Sequence, residues 1–111
     1  MSQVERHFVE GETKPITPTL YDGSGSDRTA VVGTGLTLGL TVVDRNGNAV
    51  VLTGDVSWSV AASGIAKYEP DAEDLKASGS PYSARWTVTD GNSDVAYYPN
   101  KEPEKWIVRK P

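Results

Sequence analysis

Cysteine is absent from the 111 residues. With it go disulfide staples, thiolate metal sites and thiol catalysis, so stability has to come from packing or from partner subunits. Histidine is nearly absent. The one copy, His7, lies near the N-terminus, a poor place from which to serve a Ser-His-Asp triad. Apolar runs long enough to span a bilayer, about 20 residues, are missing. The opening residues, Met1 to His7, have no apolar h-region and no lipidation signal. Synthesis in the cytoplasm is the resulting expectation. Positive charge is not in excess either. Eleven Lys and Arg against 15 Asp and Glu leave a net charge of −4 and a pI of about 4.9. Such a chain has no electrostatic reason to track phosphates or an anionic membrane surface, so nucleic acid and membrane are excluded as expected partners.

What is present is a turn-rich, β-rich composition. The mass of 11.9 kDa fits one domain. Apolar residues make up 37 %, below the globular average of about 45–50 %, and 11 Gly and 7 Pro punctuate the chain. From Val31 to Val43, Leu36, Leu38, Leu40 and Val42 alternate with Thr37, Gly39, Thr41 and Val43, the period of a strand with one buried face. Gly33, Thr34 and Gly35 mark a bend, not a phosphate loop, since the dinucleotide fingerprint and its helix are missing. Asn46-Gly47 predicts a type I′ hairpin, with Ala49 to Leu52 as the return strand. Val56, Trp58 and Val60 alternate next, and Ile65 to Glu69 forms another short strand. Pro70 to Leu75 is the one helix-like stretch, with Pro at its start and acids in its first turn. Tyr82, Ala84, Trp86 and Val88 then give the cleanest alternation in the chain. Asp90 to Ser93 turns it, Asp94 to Tyr98 returns, and Trp106 to Val108 closes it. Thr13 to Leu20, with two prolines, suits an edge strand or one that switches sheets.

Short strands at intervals of about 8–12 residues predict an antiparallel sandwich or barrel. The alternation predicts a core of Leu36, Leu38, Leu40, Val42, Val56, Trp58, Val60, Ile65, Tyr82, Ala84, Trp86 and Val88, dominated by Trp58 and Trp86.

Several segments together resemble a family. Gly11-Glu12-Thr13-Lys14-Pro15 resembles the Gly-acid-Thr-x-Pro opening of a small immunoglobulin-like domain of tailed phages. Leu20-Tyr21-Asp22, Asp44 to Gly54 and Gly64-Ile65-Ala66-Lys67-Tyr68 are similar to its next landmarks. Pro81 to Trp86 and Tyr98-Pro99-Asn100 are similar to its later strand and its aromatic-Pro pair. The likeness extends from Gly11 to Val108, and the family includes the N-terminal domain of the phage baseplate upper protein. Departures are Glu12 in place of Asp, no Gly between Pro81 and Tyr82, and a longer Gly-rich stretch from Gly23 to Gly35.

The resemblance implies an all-β fold: an immunoglobulin-like antiparallel β-sandwich of about seven to eight strands, with one short helical turn. Residues 1–10 are expected as an N-terminal arm, either mobile or docked on a neighbour, and residues 11–111 as the single domain. It also implies a structural role in a tailed-phage particle, made in the host cytoplasm and placed in the virion at the tail, baseplate, neck or head. The partners implied are other phage structural proteins and further copies of the chain. No catalytic, cofactor or metal residues carry over.

The candidate interaction surface is Phe8 on the arm with Tyr97, Tyr98 and Trp106. Adjacent residues on a strand point to opposite faces, so one of Tyr97 and Tyr98 must face outward. That residue is read first as a contact for a neighbouring subunit, next as plain surface, and last, with the alternative function, as part of an aromatic platform for a glycan. Asp71, Glu73 and Asp74 are weighed as a calcium site against a solvated turn, and the turn is favoured because the spacing is not that of an EF-hand. His7 with Glu5 and Glu10 is read as part of the arm, not as a metal site. Tyr82 is expected to make a tyrosine corner, its hydroxyl bonding a nearby backbone group.

Overall fold

The computed structural model describes residues 4–22, 29–98 and 102–111. The first residues of the expected arm, most of the loop after Tyr21 and the tip of the Pro99–Pro103 loop therefore lie outside the described residues. Among the described residues are nine short strands: β1 (Glu5–Val9), β2 (Tyr21–Asp22), β3 (Thr29–Ala30), β4 (Thr37–Val43), β5 (Asp55–Val60), β6 (Ile65–Glu69), β7 (Tyr82–Thr89), β8 (Val95–Tyr98) and β9 (Glu104–Arg109).

The larger sheet runs β1-β9-β7-β4, with β8 alongside the far half of β7. The second layer is β5 paired with β6, extended by residues 16–19 through bridges Ile16–Tyr68 and Thr19–Ile65. The chain thus leaves one sheet after β1 and enters the other by Ile16, as the prolines of that segment suggest. This is the strand arrangement of an immunoglobulin-like sandwich. One pairing departs from the expected antiparallel pattern: β1 lies parallel to β9, from Glu5 beside Lys105 to Val9 beside Arg109.

That pairing also corrects the reading of residues 1–10 as an arm. Residues 5–9 belong to the sheet because alternate side chains, Arg6 and Phe8, have a buried surface to meet. Phe8 is 5 % exposed and packs on Trp106, ring centroids 5.0 Å apart.

The core holds the strongest predicted alternation. Tyr82, Ala84, Trp86 and Val88 are all buried, and Val42, Leu40 and Leu38 face them across the β4–β7 register. Trp86 is fully buried as expected, but its equal is Trp106, not Trp58. Trp58 is partly buried and donates its indole N–H to the Leu36 carbonyl at 3.1 Å. Gly33 lies against the face of that ring, where a Cβ would come within 2.5 Å of the indole. In β6 the inward residues are Ala66 and Tyr68, not Ile65. A register shift in the β5–β6 pair between Trp58 and Val60 accompanies this, and leaves Val60 46 % exposed.

The turns bring further corrections. Only Gly47 has positive φ in the Asp44–Asn48 loop, so the turn is not type I′. Gly47 N–H donates to Asp44 O, Asp44 N–H to Asn48 O, and the Asp44 carboxylate accepts from Asn46 and Asn48 N–H. Asp90–Asp94 repeats this bonding, with Ser93 at φ 67° where the first turn has Gly47. Ala49–Leu52 is no full return strand. It makes one bridge, Val43–Ala49, before Val51 turns to solvent. Pro70–Leu75 is a hydrogen-bonded turn instead of a helix: Asp74 N–H donates to Asp71 O, and the Asp74 carboxylate accepts from Asp71 N–H. Among the described residues, helical content is two single 3₁₀ turns, Ala61–Ser63 and Ala77–Gly79.

Candidate interaction surface

The alternation of β7, β8 and β9 decides which candidate residues reach solvent. Trp86 pairs with Tyr98 and Thr87 with Tyr97 across β7–β8, so Tyr98 shares the inward face and Tyr97 the outward one. Tyr98 is 9 % exposed and Tyr97 51 %. Trp106 is fully buried. Of Phe8, Tyr97, Tyr98 and Trp106, the chain therefore presents Tyr97 alone. The other three belong to the core, where burial of each large ring removes roughly 150–250 Å² from water. An aromatic platform made of Tyr97, Tyr98 and Trp106 together is thereby corrected.

The buried rings form part of a continuous polar and aromatic chain through the sandwich. Trp106 on β9 stacks on Tyr68 of the other sheet at 5.7 Å and 17°. Its indole N–H donates to Glu104 at 2.9 Å, and Glu104, 4 % exposed, also accepts from Arg6 Nε at 2.8 Å. At the other end the Tyr68 hydroxyl donates to Asp74 at 2.7 Å. Asp74 accepts four more bonds, from Thr53 N–H, the Thr53 hydroxyl, Gly54 N–H and Asp71 N–H.

These contacts set the ionisation of both partners. Burial works against the Asp74 carboxylate, but the hydrogen bonds from Thr53, Tyr68 and Asp71 outweigh it and bring its pKa down to about 2. The Tyr68 phenol is pushed up by burial first, then by its bond to Asp74 and by the Asp74 and Asp71 charges. Asp74 is thus a structural hub, and the acidic trio Asp71, Glu73 and Asp74 is explained without a cation. Glu73, exposed, pairs with Lys76 at 2.7 Å. That hydrogen bond, more than the charge alone, lowers the Glu73 pKa and raises that of Lys76.

Tyr82 makes the expected corner. Its hydroxyl donates to Lys76 O at 2.8 Å and accepts from Lys76 N–H at 2.9 Å. Gly79 leaves room for the ring, since a Cβ there would meet the hydroxyl at 2.4 Å. His7 contacts Glu5 at 3.0 Å, while Glu10 turns away to accept from Ala77 N–H. Among the described residues, no group of three or more His, Asp or Glu converges as metal ligands would. Nor, among them, is any helix long and apolar enough to cross a membrane. One shallow, open cleft is lined by His7, Phe8, Val9, Glu12 and Arg109.

The outward surface keeps apolar side chains of its own. Val51 is 86 % exposed, Val32 66 %, and Val95 48 % beside Tyr97. The Arg85 guanidinium lies 6.0 Å from the Tyr97 ring centroid, within range of a cation–π contact. Sequence reasoning reached Tyr97 through strand parity. It missed Arg85, whose signal was its outward place in the same alternation. No protein-family model, curated protein or solved structure matches this chain.

Proposed function

We propose that the protein is a non-enzymatic structural component of a tailed-phage particle, in its tail, baseplate, neck or head, and works through contacts between subunits. The phage setting rests on the sequence resemblance. The contact mode rests on one observation: Tyr97 and Val95 stand about half exposed on the outward face of a sheet whose other large rings are buried. An exposed tyrosine braced by an arginine supplies a rigid, amphipathic contact at low entropic cost. Buried polar groups such as Asp74, Glu104 and Tyr82 are hydrogen-bonded within the scaffold. Repeated copies on a symmetric particle multiply weak contacts of this kind.

Mass spectrometry of purified particles tests the reading. The protein is expected at a fixed ratio to the major structural proteins, and Tyr97→Ser is expected to lower its incorporation without lowering its melting temperature. Absence from washed particles overturns the proposal. The alternative, a glycan-binding host-recognition module, has Tyr97 alone to offer from the expected platform, and binding on a glycan array would restore it.

A further inference from the structure

The register fixes which side chains share the outward face of the larger sheet. Lys105, Ile107 and Arg109 alternate with the buried residues of β9, Arg85 with those of β7, and Tyr97 with those of β8. Lys105 stands opposite Ser83, one outward step from Arg85. The result is a strip of Tyr97, Lys105, Ile107 and Arg109 along the line of β8 and β9, with Arg85 beside it on β7, cationic with apolar members at intervals. Among the outward side chains of this sheet, Glu5 is the one acid against three bases, a balance of +2. The whole chain is at −4, so everything else sums to −6. The outward face of this sheet is therefore opposite in sign to the remainder of the chain.

The opposite sign gathers at one end of the other sheet. Asp55 and Glu69 lie directly across from each other at the β5–β6 ends, and exposed Asp71 follows two residues later. Like charges in that position are unfavourable in an isolated sheet. Lys67 reaches Glu69, and on the strip Lys105 lies 4.0 Å from Glu5, but Asp55 has no ion pair among the described residues. A cationic partner would relieve the pair.

We infer that the strip of Arg85, Lys105 and Arg109 on one copy docks on the Asp55, Glu69 and Asp71 corner of a second copy. The two patches are different surfaces, so the contact is heterologous, and its repetition builds a ring or an open chain, not a twofold dimer. The inference rests on the subunit-contact reading above and adds the partner and the register of charge.

Sedimentation velocity on the full chain tests it. Association is expected at low salt and is expected to weaken by about tenfold or more in about 0.5 M salt, where screening acts within a few ångströms. The double variants K105E/R109E and D55K/D71K should each sediment as monomers with melting temperatures near that of the parent. Mixed together they should associate again, because each keeps the patch the other has lost. Association unchanged by either variant overturns this contact while leaving incorporation into particles untouched. A chain that stays monomeric at low salt overturns it as well. If one variant unfolds, loss of association in the other and its recovery with parent protein decide the matter.

Discussion

Asp74 and Glu104 sit at the two ends of one chain of contacts, joined through Tyr68 and Trp106, and they are held in different ways. Asp74 is surrounded by neutral donors: three backbone N–H groups and two hydroxyls. Those donors are fixed by the Thr53–Gly54 and Asp71–Asp74 turns and cannot follow a lost partner. Glu104 depends on a guanidinium, Arg6, whose side chain is 27 % exposed and can swing into water, and on the buried Trp106 indole. The comparison teaches that two carboxylates of equal burial differ in how much structure is stranded when each is removed.

The largest effect should come from Asp74→Ala. It leaves the buried Tyr68 hydroxyl and four part-buried donors without an acceptor and should cost about 3–4 kcal/mol in urea unfolding. A loss below about 1 kcal/mol would mean that water satisfies these turns and that the two sites are alike. Glu104→Ala should cost less, about 2–3 kcal/mol, because Arg6 can rehydrate and only the indole stays stranded. The comparison breaks if the order of the two variants is reversed.

Acid sharpens the same contrast. The folded pKa of Asp74, about 2, lies below the ordinary value of 3.8, so its ionised form stabilises the fold. That contribution, about 2 kcal/mol, is complete above pH ~4 and is lost as pH falls through about 2. Asp74→Asn should flatten this part of the pH–stability curve, measured by thermal unfolding between pH 2 and about 5. The smallest effect is expected from the joint change Arg6→Met with Glu104→Gln. It removes the ion pair but keeps an acceptor for the Trp106 indole, and should shift stability by no more than about 1 kcal/mol. A larger loss would show that the ion pair itself, not the indole bond, holds β1.

Much of the sandwich was legible because period-two alternation is local. Leu38, Leu40 and Val42 against Ala84, Trp86 and Val88 needed no knowledge of the rest of the chain. β1 was not legible in this way. Its inward residues are Arg6 and Phe8, and the acid that makes an inward arginine tolerable is 98 positions away. Trp106 was misplaced on the surface for a related reason. A closing strand of three apolar residues does not reveal which face is covered, and here Tyr68 and Phe8 cover it. Trp58 was over-weighted because alternation shows which way a side chain points, not how far a two-stranded layer shields it. In β6, Ala66 and Tyr68 take the inward places opposite Trp58 and Val56, and the register shift beyond Trp58 moves only Val60 and Ile65 off the pattern. Tyr97 was found because parity alone forces one of two adjacent tyrosines outward.

The parallel course of β1 and β9 has a mechanical consequence. Tension applied between the two ends of the domain would pull Glu5 and Arg109 apart along the strand direction, so the β1–β9 bonds are sheared together and not unzipped one by one. The flanking bonds, Lys105 N–H to Val4 O and Glu10 N–H to Arg109 O, would bear the load with them. Small as it is, the domain is threaded so that a stretching force meets the β1–β9 seam lengthwise.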